Sequence, residues 1–186
     1  MPRLHTIGHS TRSLEAFLAL LGKHGIARLV DIRRFPTSKR HPHFNGDTLA
    51  AKLRVQGLEY LHEPDLGGFR KALQNSPNTA WKVAGFRGYA DYMNAGEFRR
   101  ALERVIEGAK QVPTCLMCAE ATPLRCHRRL ISDALLAQGF EVLHILDQEM
   151  IESHELHPNA QLMANGRLVY PAAPPEQIGL FPPTDS

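Results

Sequence analysis

The chain has 186 residues, of which 43% are hydrophobic and 22% charged, and a formal net charge of +3 with histidine neutral. That length fits one domain able to bury its own core, so disulfide or metal staples are not required. The composition is that of an ordinary globular protein, and the charge is too small to mark a nucleic-acid binder by itself.

No apolar run reaches the roughly 20 residues of a membrane span. The start, MPRLHTIGHS, lacks the apolar stretch of a secretory signal. Three cysteines, an odd number, do not make a disulfide framework. A reducing, cytoplasmic setting and no membrane partner are therefore expected. Ten histidines leave room for added charge beside an anion or in mild acid.

Residues 4–10, LHTIGHS, read as a short strand ending in polar residues. Leu14, Phe17, Leu18 and Leu21 recur at helical spacing, with Thr11 or Ser13 as the cap. Residues 27–32, ARLVDI, are nearly continuous and apolar, as in a strand buried on both faces. A basic loop, RRFPTSKRHPHFNG, leads to a helix through Val55 with Asp47 as its cap. Residues 58–63, LEYLHE, form a weaker strand. Residues 64–88 read as loop, with Gly67-Gly68 as a tight turn and a short helix following around YADYM. Phe98, Leu102, Val105, Ile106 and Ala109 define an amphipathic helix. TCLMCA is a strand, CHRRLISDALLAQGF a helix stopped by Gly139, and residues 141–146 the last strand.

This alternation predicts an α/β fold in three layers, a mainly parallel sheet of about five strands with helices on both faces. One domain is expected over residues 1–170, followed by a Pro-rich tail over 171–186 whose Ile178, Leu180 and Phe181 tuck against the body.

In such a sheet, ligands bind beyond the carboxyl ends of the strands. Five of those ends carry ionisable residues: His9 with Ser10, Asp31 with Arg33 and Arg34, His62 with Glu63, Cys118 with Glu120, and His144 with Asp147. Cys126, His127 and Arg128 open the helix after the fourth strand. Free N–H groups and the helix dipole there favour a thiolate or an anion. Cys118, Glu120, Cys126 and His127 are thus the catalytic candidates: one thiol as nucleophile, His127 or Glu120 carrying protons. Glu120 has a plainer use, pairing with Arg125 or Arg128. His9, Ser10, Asp31, Arg33, Arg128, Gly67 and Gly68 are the ligand-binding candidates, with Arg33 and Arg128 holding an anion. Cys118 and Cys126 form a redox pair if their Cα atoms lie within about 7 Å. Cys115 belongs to the core, and so do Tyr89, Tyr92 and Met93.

A metal competes for the same residues. Cys115 and Cys118 point to opposite faces of a strand, however, and Cys126 and His127 diverge on a helix. No metal site is therefore expected. No P-loop, H-E-x-x-H or G-x-S-x-G occurs, so no cofactor is implied. Basic residues interleaved with Phe35 and Phe44 in the 33–43 loop suit a phosphate-bearing or single-stranded partner. Three classes stay open: an enzyme acting on an anionic small molecule, a nucleic-acid-binding protein with structural cysteines, and a non-catalytic regulatory module.

TIGHS (6–10), LVDIRRFPTS (29–38), LGG (66–68), YADYM (89–93), LMCAE (116–120) and CHR (126–128) occur in this order. Together they resemble the signature of a prokaryotic family known as domain of unknown function four-eight-eight. The resemblance spans residues 4–147 and implies a single α/β domain of bacterial or archaeal type, without an assigned activity. A fainter likeness is to rhodanese-like and cysteine-phosphatase domains, where a cysteine loop cradles an anion at a helix start. By that likeness Cys118 is the nucleophile. The compact C-x5-R cradle is absent, because position 124 is Leu.

Overall fold

The computed structural model describes residues 1–172. Its strands and helices alternate: β1 (Arg3–Gly8), α1 (Leu14–Lys23), β2 (Arg28–Asp31), α2 (Gly46–Val55), β3 (Glu59–His62), α3 (Ala84–Tyr92), α4 (Gly96–Gln111), β4 (Thr114–Cys118), α5 (Arg128–Ala137) and β5 (Glu141–Ile145). A short β6 (Ile151–Ser153) and a two-stranded pair, β7 (Gln161–Leu162) and β8 (Leu168–Val169), complete it. The main sheet has the order β3-β2-β4-β1-β5-β6, with β1 to β5 parallel and β6 antiparallel to β5.

The central strands are buried on both sides, and their alternate residues feed two cores. On one face Ile7, Leu29, Cys115 and Met117 meet Phe17 and Leu21 of α1 and Leu49 and Leu53 of α2. On the other, Leu4, Val30, Leu116 and Cys118 meet Tyr89 of α3, Phe98 and Leu102 of α4 and Leu130 and Ile131 of α5. This is the expected three-layer α/β arrangement. Ser13 caps α1 by accepting the Ala16 N–H at 3.2 Å. Among the described residues, no helix is long and apolar enough to cross a membrane.

Several local expectations change. The cap position of α2 is Asn45, not Asp47, and the Asn45 side-chain Oδ1 accepts the Ser38 N–H at 2.6 Å instead of capping the helix. Asp47 lies in the first turn, where a carboxylate favours the helix dipole. The α3 helix begins at Ala84, ahead of YADYM and inside the stretch expected to be loop. Two glycines weaken its sequence signal. Gly88 is required there, because a Cβ would lie 2.3 Å from the Arg70 carbonyl oxygen. The sheet has six strands instead of about five. The extra strand β6 is exposed throughout and so carries no alternating pattern. Ile178, Leu180 and Phe181 lie outside the described residues.

Candidate functional site

The strand order creates the site. The chain leaves β1 for α1 on one face of the sheet and leaves the adjacent β4 for α5 on the other. The two exit loops part above neighbouring strand ends, which is where α/β sheets form crevices. A cleft of about 870 Å³ opens at this point.

Its floor is tight backbone. His9 N–H donates to the Cys118 carbonyl and Ser10 N–H to that of Ala119, both at 2.9 Å. A Cβ on Gly8 would lie 1.7 Å from the Glu120 carbonyl oxygen, so only glycine lets the two loops close. Ser10 turns the chain away at φ 50°, a left-handed conformation uncommon outside glycine.

Of the residues singled out in the sequence, His9, Ser10, Arg33, Gly68, Cys118, Glu120, Cys126 and His127 line the cleft. Asp31, Gly67 and Arg128 do not. Asp31 is fully buried. Its carboxylate accepts Arg33 Nε at 2.8 Å, Arg33 Nη2 at 2.5 Å and the Tyr60 hydroxyl at 2.7 Å. Arg33 also donates to the Phe44 carbonyl at 2.7 Å. Burial opposes the Arg33 charge, but the Asp31 carboxylate outweighs it and raises the guanidinium pKa. Arg33 is thus committed to the fold and retains only Nη1 near His9 Nε2, at 3.4 Å. Gly67 holds the Arg34 backbone, which would lie 2.8 Å from an added Cβ. Gly68 faces His127, whose Nδ1 would lie 3.2 Å from one.

The other strand-end groups lie elsewhere. His62 contacts the Arg33 carbonyl at 2.8 Å, Glu63 pairs with Arg104, and Asp147 accepts N–H bonds from Glu149 and Met150.

His9 contacts the Ser10 carbonyl through Nδ1 at 2.9 Å. A carbonyl only accepts, so Nδ1 carries the proton and Nε2 accepts from Arg33. Burial and the Arg33 charge lower the His9 pKa to about 4, against the Ser10 bond that raises it, and the ring stays neutral.

Cys118 and Cys126 sit side by side on the cleft floor with their sulfurs 2.9 Å apart. They are 5% and 3% exposed, so the cleft is their route to solvent. The Arg128 N–H donates to the Cys126 sulfur at 3.4 Å. Burial pushes the Cys126 thiol up, but the Cys118 S–H bond, the Arg128 charge and that N–H bring it down to about 7. Cys118 moves the other way, because it donates to Cys126 and is buried. Cys126 is thus the more readily ionised of the two thiols, with Cys118 as its hydrogen-bonding neighbour. His127 Nδ1 lies 3.6 Å from the Cys126 sulfur, and burial lowers its pKa, keeping the ring neutral.

The Arg128 side chain is wholly buried and makes no salt bridge among the described residues. It donates to the carbonyls of Glu120 at 2.5 Å and Ala121 at 3.2 Å, which fixes the loop after β4. Its Nη1 reaches Thr6 Oγ1 at 3.2 Å. From there a one-directional chain runs to His144 (2.7 Å), His154 (3.0 Å) and the Asp133 carboxylate (2.8 Å). The Tyr170 hydroxyl donates to the same carboxylate at 2.9 Å. The expectation that Arg33 and Arg128 grip an anion directly is thus replaced. Arg33 is paired with Asp31, and the Arg128 guanidinium is spent on the Glu120 and Ala121 carbonyls and Thr6.

Besides Arg33, which is paired with Asp31, the cleft is lined by Arg34, Arg40 and Arg125, against the single carboxylate of Glu120 among the lining residues. Glu120 pairs with neither Arg125 nor Arg128 through its side chain; only its carbonyl meets Arg128. Phe69, Val83 and Phe86 also line the cleft and gave no sequence signal beyond their nearness to Gly67-Gly68 and α3. Tyr89 lines it too while packing as core, with its hydroxyl on the Leu66 carbonyl at 2.6 Å.

One geometric expectation is overturned. Cys126 and His127 do not diverge, because Cys126 precedes α5 in an extended conformation (φ −131°, ψ 150°) with His127 at the cap. Cys118, Cys126 and His127 bring three donor atoms within 4.8 Å of one another. Such a trio can hold zinc with a fourth position open. One observation weighs against it: the residue whose N–H meets the Cys126 sulfur also carries the buried Arg128 charge, which disfavours a cation.

No curated protein and no solved structure matches the chain. The model of the family described as domain of unknown function DUF488 matches residues 13–135, about two-thirds of the sequence. That span takes in Cys118, Cys126, Arg128 and most of the cleft, and the chain belongs to the DUF488 family.

Proposed function

We propose that the cleft is the active site of a thiol-dependent transferase or hydrolase acting on an anionic substrate, with Cys126 as the nucleophile. The observation that carries this reading is the pair of sulfurs 2.9 Å apart, one of them accepting the backbone N–H of Arg128, whose buried guanidinium has no salt bridge among the described residues. A neutral thiol needs no such charge, whereas a thiolate is stabilised by one. Arg34, Arg40 and Arg125 hold the substrate's negative charge at the mouth. The Cys126 thiolate attacks the electrophilic centre, and the leaving group departs with a proton. Cys118, hydrogen-bonded to that sulfur, and His127, 3.6 Å from it, are the nearest proton carriers. Glu120, exposed on the loop after β4 and lining the cleft, is the carboxylate that would activate a water in a hydrolytic second step.

Two alkylating agents of similar size test this. Negatively charged iodoacetate should label Cys126 with saturable kinetics and faster than neutral iodoacetamide, and inorganic pyrophosphate should protect. Faster labelling by iodoacetamide with no protection would sink the reading.

A further inference from the structure

Thiol chemistry makes no use of the cleft's apolar rim. Phe69 is 89% exposed and Phe35 68%, and both line the opening. Large exposed apolar groups rimmed by charge mark binding surfaces. Phe69 is also held in the left-handed region at φ 62°, where a non-glycine residue is strained. Strain that presents an aromatic ring to solvent does nothing for the core.

Arg34 touches both residues. Its Nη1 donates to the Phe69 carbonyl at 3.3 Å, and its guanidinium lies 5.7 Å from the Phe35 ring centre. Arg40 and Arg125 add charge around the same opening, with Glu120 the single carboxylate among the lining residues. Aromatic faces interleaved with arginines are the chemistry that holds a base by stacking and its phosphate by charge. The volume of about 870 Å³ exceeds what a bare phosphate or sulfate fills.

We propose that the anionic substrate is a nucleotide, free or as an unpaired unit of a nucleic-acid strand. Its base stacks on Phe69 or Phe35, and its phosphate lies against Arg34, Arg40 and Arg125. This rests on the anion-binding cleft proposed above, and it does not require Cys126 to be the nucleophile.

Fluorescence anisotropy tests it with a labelled oligothymidylate of about ten nucleotides, long enough to cover a single-strand site. Thymidine monophosphate, inorganic pyrophosphate and a duplex of the same sequence serve as competitors. The probe should bind. Phe69→Ala and Phe35→Ala, both at exposed positions, should each weaken binding about tenfold or more. Val55→Ala, at an exposed position outside the cleft, should bind as the unsubstituted protein does. Displacement by the mononucleotide at probe-like concentrations identifies a free nucleotide as the ligand; displacement by single strands alone identifies nucleic acid. The proposal is overturned if the probe does not bind or if both phenylalanine variants bind unchanged. It is equally overturned if pyrophosphate or duplex competes as well as the nucleotide or strand. Base-dependent binding without selective Cys126 alkylation would remove the nucleophile and keep the nucleotide. The opposite pattern would do the reverse.

Discussion

Arg128 donates its backbone N–H to the Cys126 sulfur at 3.4 Å, while its own guanidinium is wholly buried and meets only carbonyls and the Thr6 hydroxyl. One residue thus supplies two positive influences on one thiol: a helix-start N–H and a full charge in low dielectric. An uncompensated buried cation is costly. The Thr6–His144–His154–Asp133 chain links the charge to a buried carboxylate, and an ionised Cys126 would offset it further.

Sulfurs 2.9 Å apart need little motion to bond. Diamide should convert Cys118 and Cys126 into one intramolecular disulfide, with the diamide taking up the two electrons and both thiol protons. Peptide mapping should find Cys115 free, because it lies on the opposite face of β4 in the other core. A mixed disulfide involving Cys115 would contradict the arrangement.

The Asp31–Arg33–Tyr60 cluster holds the loop that bears Arg34 and Phe35. Asp31→Asn should destabilise the protein by about 3–5 kcal/mol, because it leaves the Arg33 charge buried without its partner. Tyr60→Phe removes one hydrogen bond to the same carboxylate and should cost about 1–2 kcal/mol. Urea unfolding measures both, and the ranking should hold.

Glycines in the same chain should respond oppositely. Gly8→Ala forces a methyl to 1.7 Å from the Glu120 carbonyl and should abolish soluble folding or splay the cleft. Gly22→Ala, within α1 and with nothing within 4 Å, should stabilise by about 0.5–1 kcal/mol. Thermal unfolding of the two variants checks the contrast.

Stability should fall in acid before the carboxylates protonate. His5 and His9 are lowered by burial to about 4, and His144 to about 3, from 6.5. Between about pH 6.5 and 4 the unfolded chain takes up protons that the folded chain refuses, so stability rises with pH across that window. Each histidine contributes up to about 1.4 kcal/mol per pH unit there. The loss on acidification is complete only below the folded values. Denaturant midpoints at a series of pH values should shift accordingly, and His144→Gln should flatten the slope.

The sheet, its parallel sense and the strand ends of β1, β2 and β4 that border the cleft were legible because continuous apolar runs and helical spacing are local signals. Cys115 and Cys118 were separable for the same reason, since side chains alternate along a strand. Pairings across loops were not legible. Asp31 and Arg33 look like ligand-facing groups in sequence, yet two residues apart on a bend they satisfy each other. Cys126 and His127 converge because the chain is extended before α5, which residue types do not show. Phe69 carries no periodic signal, and its exposure is a property of the fold.

Thiol chemistry in the cleft depends most on Cys126 being the thiolate. The direct measurement is the pH dependence of its iodoacetamide alkylation rate, assigned by mass spectrometry, in the unsubstituted protein and in Arg128→Met. The account predicts a midpoint at about 7 for Cys126, with Cys118 unreactive over the same range. In Arg128→Met the Cys126 midpoint moves up toward the ordinary thiol value of about 8.5. A Cys126 midpoint already at that ordinary value, or one unmoved by the substitution, would contradict it.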